Sequence, residues 1–145
     1  VYGSRSLAAV GVACHEAGHA VQHARAYAPL GLRTALVPAT QFASSAAYPL
    51  FFIGLFLSWT TLIHVGIILF GASVLFALVT LPVEWDASAR AKKVLVQDGI
   101  VAPGEAAGAS SVLNAAFLTY VASAVTSLLT LLYFLLRAGL LGGDD

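Results

Sequence analysis

His15, Glu16 and His19 fall in the order HEAGH at residues 15–19, a spacing that suits a metal ion held on a helix. Residues i and i+4 lie one turn apart on one face, so both imidazoles can reach a single zinc ion at about 2.0–2.1 Å. Glu16 then points at the open position of the ion, where a carboxylate takes a proton from a water whose pKa the metal brings towards about 7. The pattern predicts hydrolysis by a metal-activated water, with one zinc ion per chain, His15 and His19 as ligands and Glu16 as the base. The competing expectation is a polar helix face without a metal, disfavoured because ionisable residues in so apolar a chain are costly and normally functional.

A catalytic zinc ion needs a third protein ligand. Glu84, in the stretch PVEWDAS at 82–88, is the strongest candidate, since it stands where the chain returns from an apolar segment to the side that holds HEAGH. An ordinary solvated carboxylate at a helix exit is the alternative for it. Asp86 or Ser88 can accept the outer N–H of a zinc-binding histidine, unless they are plain helix-surface groups. Tyr120, inside an apolar run, is a candidate donor to the oxyanion of a tetrahedral intermediate, with Tyr27 and Tyr48 as competitors. His23 continues the i+4 series but lies about 12 Å along the axis from His15, too far to share its ion, and is expected near the site or at the surface. His64 is expected at the opposite membrane interface, and Cys14, about 100° around the helix from His15, as a small buried residue.

These residues must be positioned by a chain whose hydrophobic content is 59% and charged content 10%, where a soluble domain carries about 25% charge. The sequence is therefore expected to be an all-α membrane protein, with the HExxH helix at the membrane face, a transmembrane hairpin and a C-terminal span, forming one core over residues 1–145. Helix one is expected over 5–28, capped by Ser4 or Ser6. Residues 30–40, with Gly31 and Pro38, read as a loop. Crossings are expected at 42–59 and 62–82, folded back near the interfacial Trp59, because one helix of about 40 residues would overshoot a bilayer of about 30 Å. A separate polar helix is expected over 83–98, ending at Asp98-Gly99, then a last crossing over 105–137, and a frayed tail at Gly142–Asp145.

Two crossings between HEAGH and Glu84 would return both to the same side of the membrane. Arg5, Arg25, Arg33, Arg90, Lys92 and Lys93 fall on that side and only Arg137 on the other, which predicts a cytoplasmic site. Seven basic residues balance seven acidic ones without forming a stripe, so no nucleic-acid partner is expected. One cysteine allows neither an internal disulfide nor a cysteine-rich structural zinc site. With no methionine and a start at Val1-Tyr2-Gly3, the sequence is expected to continue upstream.

HEAGHAVQ at 15–22 and LPVEWDASARA at 81–91 resemble the YugP-type neutral zinc metallopeptidases of prokaryotic membranes, and the resemblance covers nearly the whole chain. It implies a gluzincin-like ligand set in which the third ligand is a glutamate followed three positions later by a small residue, here Glu84 and Ala87. It also implies His15, His19 and Glu84 on zinc, Glu16 as base, and a further membrane segment and soluble stretch upstream. The related HtpX and CAAX-protease pattern has an aspartate four positions after the ligand glutamate, where this chain has Ser88. The expected activity is cleavage of peptides or membrane proteins at the bilayer. The alternatives are a site-2-like intramembrane protease, whose LDG ligand sequence does not occur here, and a non-catalytic zinc-binding membrane subunit.

Overall fold

The computed structural model describes residues 3–141; the tail at Gly142–Asp145 lies outside them. Its elements are α1 (Leu7–Ala24), α2 (Ala28–Phe56), α3 (Thr60–Gln97), a 3₁₀ turn at Pro103–Glu105 and α4 (Ala106–Arg137). This is an all-α chain, and α2, α3 and the run Pro103–Arg137 are each long and apolar enough to cross a membrane.

Helix α1 starts at Ser6, whose hydroxyl accepts the Ala9 amide at 3.2 Å. It ends earlier than residue 28, because Ala26 adopts φ +50° and breaks the ladder, while the Tyr27 amide turns back to Gln22 O at 2.9 Å. Two expectations are corrected here. Residues 30–40 are not a loop but the first part of α2, which runs through Pro38 and Pro49. No separate polar helix begins at 83; α3 continues through Pro82 to Gln97. A proline inside a helix forfeits one backbone hydrogen bond, whereas a loop in an apolar setting would leave many groups without partners, so the helices persist. Gly99, with φ +64°, supplies the left-handed residue that stops α3, and the Ile100 amide bonds Leu95 O at 3.1 Å.

The described chain forms two compact units, Val1–Leu32 with Thr80–Val121, and Arg33–Val79 with Ala122–Asp145. In the first, α1 packs on the C-terminal part of α3 and the start of α4 around Cys14, Ala91, Leu95, Val101, Ala109 and Leu113. The polar end of α3 buries Val83, Glu84, Ala87, Ser88, Ala91 and Leu95, a stripe at three- and four-residue spacing facing α1. Contact is backbone-close: a Cβ on Gly18 would overlap the carbonyl oxygen of Ala87.

In the second unit α2 and α3 form a hairpin through Leu57-Ser58-Trp59, with Ser58 at φ +52° and Trp59 exposed. Phe51 and Phe134 stack at 4.0 Å between ring centroids, with Phe70 and Tyr48 around them. A Cβ on Gly66 would lie 2.7 Å from the Phe51 amide nitrogen, so this glycine sets the approach of the two arms.

Candidate metal centre

One turn of α1 carries both histidines inward. Their rings meet edge to face with centroids 4.7 Å apart, the arrangement that i, i+4 positions on one helix face allow. From α3, Glu84 enters with only 1% of its surface exposed, and its Oε2 lies 2.9 Å from His15 Nε2 and 3.4 Å from His19 Nε2. One donor atom from each of His15, His19 and Glu84 can be chosen so that all lie within 4.8 Å of one another. Two ligands on a tetrahedral ion with bonds of about 2.0–2.1 Å are separated by about 3.3 Å, close to the Nε2–Oε2 distances found here. Two nitrogens and one carboxylate oxygen form the donor set of a catalytic zinc site with a position left for water or substrate. A carboxylate so deeply buried also calls for a compensating positive charge, which a divalent ion provides. The residues fit the metal.

The outer nitrogens of both rings are held. Ser88 Oγ sits 3.2 Å from His15 Nδ1, and Gln22 Oε1 sits 2.8 Å from His19 Nδ1. Such contacts fix the ring planes and direct Nε2 at the centre. Gln22, fully buried, donates through Nε2 to Val83 O and to Asp86 Oδ2, each at 2.8 Å. Arg90 Nε donates to the same Asp86 oxygen at 2.6 Å, and its guanidinium lies 5.7 Å from the centre of the Tyr27 ring.

A match to a family model described as "putative neutral zinc metallopeptidase" extends over residues 1–139. The chain belongs to that family. It is also 49% identical over 136 residues to a Bacillus subtilis protein described as "putative membrane protease YugP", covering 94% of this chain and 60% of that protein. The chain thus spans about three-fifths of the length of the curated relative it matches. No solved structure matches it.

The other expected site residues are distributed as follows. Glu16 is exposed on the flank of α1, where it lines an open groove of about 640 Å³ with Val12, Ala13, Ala17, Val94 and Ile100. Asp86 does not accept a histidine N–H directly, as one alternative had it; Gln22 stands between them, because the longer amide of α1 fills that space. Tyr120 is half-buried on α4, Tyr27 stacks on Arg90, and Tyr48 packs in the aromatic cluster of the second unit. His23 and His64 are exposed. Cys14 is buried in the apolar core beside His15, and burial pushes its thiol pKa up, away from the thiolate a metal would need.

Gln22 and Arg90 were not foreseen as part of this site. The available signal for Gln22 was its place seven residues after His15 and three after His19, which puts an amide on the same helix face.

Proposed function

We propose that this chain is the zinc-binding core of a membrane metalloendopeptidase that cleaves peptide bonds with an activated water. The observation that carries the proposal is the meeting of His15 Nε2, His19 Nε2 and the buried Glu84 Oε2 at one point. When bound there, a zinc ion supplies Lewis acidity, acidifying a water and polarising the scissile carbonyl. Glu16, next to His15 and open to solvent, accepts the proton that the water loses as its oxygen bonds to the carbonyl carbon. The same carboxyl group returns that proton to the leaving amine as the C–N bond breaks. His15 and His19, anchored through Nδ1, hold their geometry while charge develops.

The apolar helices suit a bilayer of the prokaryotic cell, crossed more than once, with peptides or membrane proteins as substrates. The reading puts the site on the cytoplasmic side, supported by the excess of basic residues in the segments that flank it. The deciding experiment is Glu16→Gln. Zinc should stay bound while peptide cleavage falls by about 10²–10⁴-fold, the contribution of a general base. Undiminished cleavage by that variant would remove Glu16 from the mechanism, and a wild-type chain that binds zinc yet cleaves nothing would favour a non-catalytic binding protein.

A further inference from the structure

The two histidines are held in different ways, and the difference has a chemical consequence. At His15 the partner is a hydroxyl, which can donate or accept, so Ser88 leaves the protonation pattern of that ring open. At His19 the partner is one end of an amide whose other end is already committed. Val83 O is a carbonyl and Asp86 Oδ2 a carboxylate oxygen, and neither can donate. Gln22 must therefore turn its NH₂ towards them, which leaves only its oxygen to face His19 Nδ1 at 2.8 Å. An oxygen acceptor at that distance requires the proton of the imidazole to sit on Nδ1.

We propose that Gln22, oriented by Val83 and Asp86, is a positioning residue that locks His19 in its Nδ1–H tautomer and dedicates Nε2 to the metal. This rests on the metallopeptidase reading of the same site. With Nδ1 protonated, Nε2 of the neutral ring presents a lone pair 3.4 Å from Glu84 Oε2. Two electron-rich atoms then face each other across a gap that suits a cation between them. Gln22 links Asp86 to the metal centre, and Arg90, bonded at 2.6 Å to the oxygen that Gln22 uses, holds that carboxylate in place. Gln22 is fully buried, which keeps bulk solvent away from its amide. The relay runs Arg90, Asp86, Gln22, His19.

The test uses the full chain in detergent, with ¹⁵N-labelled histidine, and variants Asp86→Asn and Gln22→Met. An asparagine can offer either a donor or an acceptor to Gln22, and a methionine offers neither to His19. In the metal-free wild type the ¹⁵N spectrum of His19 should show protonated Nδ1 and bare Nε2. Each variant should mix the two tautomers and weaken zinc binding, measured by chelator competition, about 10- to 100-fold. A purely structural role would lower the thermal midpoint without mixing tautomers. The relay is overturned if His19 in the wild type carries its proton on Nε2, or if both variants keep a single Nδ1–H tautomer or wild-type zinc affinity. Failure of the wild type to bind zinc at all would instead overturn the metallopeptidase reading, and the tautomer measurement would still decide the relay.

Discussion

The two units solve interior packing in opposite ways. In the first, the small residues Gly11, Gly18, Ala87, Ala91 and Ala109 stand beside Leu95, Val101 and Leu113, and the unit contains Gln22, Thr80, Glu84 and Ser88, which are all the buried polar or charged residues among those described. In the second, the buried residues are apolar, and Phe51, Phe70 and Phe134 fill the space against α2 and α3 held close by Gly54 and Gly66. Aromatic stacking is a source of stability that needs no partner beyond good packing. Buried polar groups stabilise only when every one is satisfied, and they cost several kcal/mol when one partner is lost. The first unit therefore keeps a buried polar cluster at some expense in stability, and the second is held together by apolar and aromatic packing.

Substitutions should separate the two roles. The largest effect is expected for Glu84→Gln, which should reduce zinc affinity by more than the about 100-fold that an outer partner is worth, as read by metal content after dialysis, with helix content retained. Zinc retention at the wild-type level would break the comparison at its centre. Phe134→Ala should do the reverse, lowering unfolding stability by about 3–5 kcal/mol through a cavity in the stacked cluster, while the folded protein keeps its zinc affinity. A loss of zinc affinity in that variant would mean that the aromatic cluster also shapes the site.

Gly18→Ala should affect both properties, because a methyl group there meets the Ala87 carbonyl backbone rather than a side chain that can swing away. About 1–3 kcal/mol of stability should be lost, together with zinc affinity, since α1 cannot move from α3 without carrying His15 and His19 away from Glu84. Unchanged stability in chemical denaturation would show that the helices are less tightly apposed than the backbone contact requires. Ser88→Ala should have the smallest effect, about a 10-fold loss of zinc affinity, and no loss would mark the 3.2 Å contact to His15 as incidental.

Much of this molecule could be read along the chain because it depends on local spacing. HEAGH puts two imidazoles on one face of any helix, Ser6 caps that helix, and Asp98-Gly99 ends α3 whatever surrounds it. The long apolar runs likewise depend only on composition. The misreadings at 30–40 and at 83 share one cause. Gly31, Pro38 and Pro82 carry the signature of helix breakers, a signature learnt where water can satisfy a broken backbone. Among apolar neighbours the helix is the cheaper state, so α2 and α3 run on through their prolines.

Two imidazoles one turn apart, a glutamate 65 residues after His19 and chain segments apolar enough for a bilayer were determined by the sequence itself. Tertiary structure decided that Glu84 is buried against those imidazoles, that Ser88 backs His15, and that Gln22, rather than Asp86, backs His19. The physical reason is the close approach of α1 and α3 at Gly18 and Ala87. Burial of a glutamine or a glutamate depends on what is packed against it, and hydrogen bonds between groups more than 60 residues apart, such as Gln22 with Val83, form only after two helices have met.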